Sequence, residues 1–220
     1  MKRINLLAVL LVISVVSTAQ NFKLGLQASP QISWMNSSNA DILNSQIRLG
    51  IRYGLDADIF IVPGTPRYCL NTGLFVSNNS FKTHYSVETP FEIGNKTFTN
   101  NVDFRFNLNY IEIPINLKMR TEQFYRLTYF GQFGVSNFIN VSAKAISSDK
   151  QLNGANVNDA VGLYNIALLM GAGAEYDLGG NTALVAGIQY SKGLIDYSTI
   201  KSLDESSYFS SLRLVLGVMF

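Results

Sequence analysis

His84, the chain's one histidine, lies in the segment KTHYSVE, with Ser86 and Glu88 at alternate positions beyond it. A histidine with a hydroxyl and a carboxylate is the equipment of nucleophilic hydrolysis: the imidazole takes the hydroxyl proton and the acid orients the ring. In an extended segment these three side chains project to one side but in parallel, whereas that chemistry needs them convergent. Asp56 and Asp58 are a second carboxylate pattern, set among basic residues, which points to charge pairing rather than acid–base work. Cys69 is the only cysteine, so no internal disulfide forms, and one Cys with one His excludes a zinc site of the Cys-cluster kind. The glycine pattern GAGA has no helix after it, which a phosphate-cradling loop requires. No catalytic residue, cofactor or metal is expected from these motifs. With a net charge of +2 and no basic cluster, nucleic acid is not an expected partner.

The remaining charges follow a simpler rule. In IRLGIRYGLDADIFIV, Ile47, Leu49, Ile51, Tyr53, Leu55, Ala57, Ile59 and Ile61 fall on one side of an extended chain. Arg48, Arg52, Asp56 and Asp58 fall on the other. Period two marks a strand whose two faces meet different surroundings. The alternation recurs in FKLGLQASPQISW, from about Arg67 to Asn79, in YIEIPINLKM, YRLTYFGQFGV and YNIALLMGAGAEY, from Leu184 to Tyr190, and in YFSSLRLVLGVMF. The polar faces of these eight segments carry Lys23, Arg48, Arg52, Asp56, Asp58, Arg67, Glu112, Lys118, Arg126, Glu175 and Arg213.

The connections alternate in length. PGTP, RTEQ and DLGGN are tight turns, while residues 35–46, 80–101, 142–162 and 192–207 are long and rich in Asn, Ser and Asp. In an up-and-down meander every long loop then lies at one end and both termini at the other. Bacterial outer-membrane barrels have this asymmetry. The sheet must close, because an open edge in hydrocarbon leaves backbone groups unpaired at several kcal/mol each.

The opening MKRINLLAVLLVISVVSTAQ reads as a secretory signal with cleavage after Ala19, leaving 20–220 as one barrel domain. Its apolar run is shorter than the roughly 20 residues of a spanning helix. Gln20 stands where a lipoprotein would have Cys.

Period alone does not say which face points in, and a secreted, lipocalin-like cup would invert the arrangement. Three features turn the grease outward. Trp34, Tyr53, Tyr125, Tyr164, Tyr176, Tyr190 and Tyr208 lie on the apolar face near strand ends, where amphipathic rings suit a membrane boundary. The polar face is rich in Gly, Ser, Asn and Gln, as the tight interior of an eight-stranded barrel needs, with glycines such as Gly73 and Gly173 relieving crowding around the arginines. The chain ends on Phe220, with Leu214, Leu216 and Val218 in phase. Charges removed from water must pair or stay hydrated, so an interior salt-bridge network is expected. Counting from the turns puts Glu175 beside Arg126, and Asp56 and Asp58 beside Lys23.

Three irregularities stand out. Apolar residues at Val102, Phe104, Phe106 and Leu108 switch phase at Ile111, which predicts either a β-bulge near Asn109 or Tyr110 or an upper part projecting beyond the membrane. Pro30 and Pro114 each remove a ladder donor and predict bulges or unpaired positions. Phe81, Tyr85, Phe91, Phe98 and Phe104 form either an adhesive loop surface or strands continued above the bilayer.

NYIEIPINLK (109–118), GAGAEYDL (171–178), IQYSKGLIDYS (188–198) and LRLVLGVMF (212–220), with the signal-like start and the strand spacing, resemble the PorT-like outer-membrane β-barrel family. The resemblance covers essentially the whole mature chain. It implies an all-β, eight-stranded antiparallel up-and-down transmembrane barrel in the bacterial outer membrane. It does not fix a role, although PorT itself is linked to type IX secretion. Leu216, Val218 and Phe220 look like the terminal signal read by the barrel-assembly machinery. The expected partners are outer-membrane lipid, that machinery, and a protein at the loops or turns. Three roles stay open: a non-enzymatic structural or partner-binding barrel linked to secretion or envelope assembly, a narrow pore for ions or very small solutes, and a lipid-modifying enzyme.

Overall fold

The computed structural model describes residues 22–37, 42–62, 65–85, 91–93, 96–98, 102–149, 152–158, 161–195 and 207–220. The expected signal peptide, Ser86 and Glu88 lie outside these residues. The strands are β1 (Phe22–Ser37), β2 (Ile42–Gln46), β3 (Arg48–Val62), β4 (Thr65–Tyr85), β5 (Phe91–Ile93), β6 (Lys96–Phe98), β7 (Val102–Arg120), β8 (Leu127–Ser147), β9 (Asn153–Asn156), β10 (Tyr164–Gly179), β11 (Thr182–Gly193) and β12 (Ser207–Met219). Eight of them, β1, β3, β4, β7, β8, β10, β11 and β12, close into one antiparallel ring, with β12 returning to β1 and β10 to β8. The last residue finishes the seam: Phe220 N donates to Leu24 O at 2.7 Å and Leu24 N to Phe220 O at 3.1 Å. The short pieces decorate the long-loop end, β2 on β4, β9 on β8, and β5 with β6 as a hairpin.

Short turns join β3 to β4, β7 to β8 and β10 to β11 at the end that holds both termini. The last of these needs Gly179 and Gly180, at φ +100° and +66°, and the Asp177 carboxylate accepts a 2.8 Å hydrogen bond from Gly179 N.

On β3, Ile51, Tyr53, Leu55, Ile59 and Ile61 are exposed, while Arg52, Asp56 and Asp58 are buried. A lipocalin-like cup would have the reverse facing. The prolines cause no bulge. Pro30 pairs with Ile51 but falls in a gap of the β1–β12 ladder. Pro114 pairs with Ser136 and falls in a gap of the β4–β7 ladder. Both are unpaired on one side only, as a residue without an N–H must be.

The ring is lopsided. β4 and β8 have 21 residues and β7 has 19, against 12 to 16 for the others. Along the whole of β7 the even-numbered residues up to Lys118 point in. The phase switch at Ile111 is therefore not a bulge in this strand; the chain keeps its facing and the residue types exchange sides. From Glu112 down, polar residues face in and Ile111, Ile113, Ile115 and Leu117 face out. From Tyr110 up, Val102, Phe104, Phe106, Leu108 and Tyr110 face in and Asp103, Arg105, Asn107 and Asn109 face out. β4 changes at the same rung, where Asn78 opposes Asn109 just above the exposed Val76. A bulge does sit at this level, but in β8: Asn109 opposes Ser142 and Tyr110 opposes Asn140, leaving Val141 as the extra residue.

At the Asn78–Asn109 rung the outward side chains turn from apolar to polar, the pattern expected where lipid gives way to water. Below it apolar side chains meet hydrocarbon. Above it the extension behaves as a soluble β-protein, with an inner apolar core of Phe104, Phe106 and Leu108 closed over by Phe98, Leu152, Val157 and Val161 and continued just below the rung by Tyr110, Phe138 and Phe209. The Phe98 and Phe104 rings meet edge to face at 4.9 Å and are buried, so those two are core and not an adhesive surface.

Candidate functional site

Below the rung the lumen holds two linked charge clusters. The upper one is built on Glu112, fully buried on β7. Arg213 of β12 reaches across the barrel to it, with NH1 at 2.8 and 3.1 Å from the two carboxylate oxygens. Arg52 of β3 contributes Nε at 3.0 Å, an ionic contact lying off the N–H axis. Ser136 Oγ donates to the same carboxylate at 2.9 Å, and Arg52 NH1 donates to Gln27. The lower cluster joins Asp56, Asp58 and Glu175 with Lys118 and Arg120. Lys118 Nζ lies 2.9 Å from Asp58 and 2.6 Å from Glu175. Arg120 bonds both of those carboxylates, through Nε at 3.1 Å in the case of Glu175. Asn71 Nδ2 donates to Asp56 and to Asp58, each at 2.8 Å.

Together the clusters set four cations (Arg52, Lys118, Arg120, Arg213) against four carboxylates, of which Asp58, Glu112 and Glu175 take ion pairs and Asp56 is held by the Asn71 amide. Three of the cations also rest on aromatic rings, Arg120 on Phe60 at 5.5 Å being the loosest. The Arg52 guanidinium lies 3.3 Å from the centre of the Phe75 ring and Lys118 Nζ 4.5 Å from that of Phe130. Glycines make room for those rings. A Cβ at Gly73 would come within 2.5 Å of the Phe75 ring, and one at Gly173 within 2.6 Å of Phe130. The glycines thus serve the arginine and lysine indirectly, through the rings beneath them.

Several sequence expectations move. Arg126 is not in the lumen: it lies exposed in the turn before β8, and the partners of Glu175 are Lys118 and Arg120. The cause is the early end of the ladder, where Tyr125 takes φ +56° and β8 begins only at Leu127. Arg67 is also exposed, at the short-turn rim, where it pairs with Glu122. Lys23 does oppose Asp58 in register, but Asp58 takes its ion pairs from Lys118 and Arg120. Arg48 is half-buried on the lumen side above Arg52, opposite Ser33. Leu216, Val218 and Phe220 lie on the outer face, where β12 meets β1 at the seam. Arg120 was missed because it opens the RTEQ turn; its even number, in phase with Glu112, Asn116 and Lys118, was the signal for it.

His84 meets an acid that sequence spacing did not suggest. Its Nδ1 lies 2.6 Å from Asp103 Oδ1, across the β4–β7 ladder and on the outer face above the rung. Lys82 holds the other oxygen of that carboxylate at 2.8 Å. These two partners, Lys82 first, keep Asp103 below the usual carboxylate range.

A closed ring with grease outward and paired charges sealed within is a transmembrane β-barrel. The chain belongs to the outer membrane protein beta-barrel domain family, whose model matches residues 18–198, and its place is the bacterial outer membrane. Similar solved structures include Neisserial surface protein A, at 16% identity over 90% of this chain and 97% of that one, TM-score 0.49. OprG from Pseudomonas aeruginosa is similar at 9% identity over 91% and 96%, TM-score 0.45. The outer membrane protease OmpT from Escherichia coli is similar at 11% identity over 91% and 95%, TM-score 0.43. The sequence matches none of the curated proteins searched.

Proposed function

We propose that the protein is a non-enzymatic, non-conducting outer-membrane barrel that acts through its surfaces, in a structural or partner-binding role in secretion or envelope assembly. The PorT-like resemblance of the sequence supports the last part of that reading. The observation that carries the rest is double closure of the lumen. In its lower half the charge clusters and an inward patch of Phe130, Val185, Val215 and Met219 stand between the upper lumen and a cavity of about 310 Å3 at the short-turn end, lined in part by Arg120 and Glu175, and the aromatic core with its capping segments occupies the upper half. The cavity between Tyr110, Phe138, Asn165, Ala167, Gly193 and Phe209 has a volume of about 10 Å3, barely one water. A narrow pore would need a continuous wet path through both halves.

The test is planar-bilayer recording with the folded full chain. Sustained conductance steps from the unmodified protein would overturn the closed-barrel reading, and a silent bilayer is the expected result. The enzymatic alternative turns on His84 and Asp103. A lipid deacylation or proteolysis signal that His84→Ala abolishes would replace the non-enzymatic reading; none is expected.

A further inference from the structure

Among the described residues, the outer face of the tall strands carries its lysines and arginines on two adjacent levels just above the rung. Asn78 and Asn109 form the first polar rung above the lipid-facing side chains. Two residues higher, Asn107 of β7 stands opposite Lys144 of β8. Two higher again, Lys82 of β4 stands opposite Arg105 of β7. At about 3.3 Å per residue and a strand tilt near 40°, these cations sit about 5 and 10 Å above the Asn78–Asn109 rung. That is the depth of lipid headgroups.

The arrangement is costly without an anion. Like charges directly opposed across a ladder destabilise it. Lys82 turns to Asp103, which it shares with His84. Arg105 and Lys144 are both exposed, and among the described residues neither is bonded to a carboxylate. Directly beneath Lys144, the β8 bulge leaves Ile139 and Val141 both exposed. The outer face therefore reads, from the membrane upward, apolar, amide, cation. That is the order of an acyl chain, a polar junction and a charged headgroup.

We propose that this face of β4, β7 and β8 binds a phosphorylated lipid headgroup of the external leaflet, with Arg105 and Lys144 on the phosphate, Lys82 at the edge, and Ile139 and Val141 against the acyl chains. Arginine suits the role because its planar fork meets a phosphate with two parallel hydrogen bonds.

The experiment is native mass spectrometry of the folded full chain in zwitterionic detergent, titrated with diphosphorylated lipid A. Folding of every variant is checked by heat-modifiable gel mobility. The unmodified barrel binds saturably. Arg105→Gln with Lys144→Gln weakens binding about 25-fold, from roughly fivefold per cation near a headgroup. Each single change gives about fivefold, which preserves the test if the double variant does not fold. Arg105→Lys keeps the charge but loses the planar fork, and binds more weakly than the unmodified protein and more tightly than Arg105→Gln. Equal binding by the glutamine variants overturns the proposal, as does equal binding of dephosphorylated lipid A. Displacement of the lipid by an equal concentration of inorganic phosphate also overturns it, since the site would then belong to a free anion.

Discussion

Below and above the Asn78–Asn109 rung, the same strands solve opposite problems. β7 crosses the rung without changing its facing, yet its inward residues pass from Phe104, Phe106, Leu108 and Tyr110 to Glu112, Asn116 and Lys118. Above the rung, water surrounds the barrel, so burying apolar side chains inside removes them from water and stabilises the fold. Below it, lipid surrounds the barrel. An apolar side chain gains as much outward as inward, and little drives it into the lumen. What specifies the lower interior is chiefly charge pairing, with Glu112, Asp58 and Glu175 each held by two cations, beside a smaller inward apolar patch of Phe130, Val185, Val215 and Met219. The interior of each half is the complement of its surroundings, and the strand only carries the alternation.

Substitutions can separate the two halves. Glu112→Ala should be the most damaging in the lower half, because it leaves Arg52 and Arg213 buried without their shared anion. Losing one partner of a buried pair costs about 3–5 kcal/mol, read as a fall in the denaturant midpoint of the barrel in detergent or lipid. In the upper half the equivalent is Leu108→Ala, fully buried among aromatic side chains, at about 3 kcal/mol from lost transfer energy and the cavity left behind. Next comes a pair of outward substitutions. Leu74→Arg, facing lipid, should cost about 2–4 kcal/mol, while Asn107→Arg, outward but above the rung, should cost about 0–1. Equal costs for the two would erase the boundary. Smallest is a pH effect confined to the upper half. Asp103 is held below the usual carboxylate range by Lys82 and then His84, so its contribution is present above an unfolded value of about 3.9 and is lost as pH falls through the lowered native value. Thermal midpoints of the protein and of Asp103→Asn should differ at pH 6 and converge near pH 2–3.

The eight strands, the alternation of turns and loops, and the outward facing of Leu55, Ile59 or Leu216 were legible, because lipid on one side and a polar lumen on the other force a strict period of two. The tops of β4 and β8 were not. Ser142 to Ser147 read as loop, because outside the membrane small and polar residues such as Ser142, Ala143 and Ala145 satisfy a strand without advertising it, while at Ser80 to Tyr85 the aromatic residues left a continued strand open beside a loop. Of the charge network, membership was mostly legible from phase, as with Glu112, Lys118 and Arg213. Pairing was not, because Arg213 reaches Glu112 across the lumen, a separation of 101 residues that no ladder register encodes. Arg67 and Arg126 had the right parity but lay past the last rung of the barrel.

The most direct measurement is a nitroxide scan along the outer faces of β4 and β7 in lipid nanodiscs, with labels at Leu70, Leu74, Val76, Asn78, Ser80 and Lys82, and at Ile115, Ile111, Asn109, Asn107 and Arg105. Collision rates with oxygen and with a water-soluble nickel chelate report lipid or water at each site. Inversion at the asparagine rung predicts lipid-like values through Val76 and Ile111 and a crossover to water-like values at Asn78 and Asn109. Lipid-like values continuing to Lys82 and Arg105, or water-like values already at Leu74 and Ile115, would contradict it.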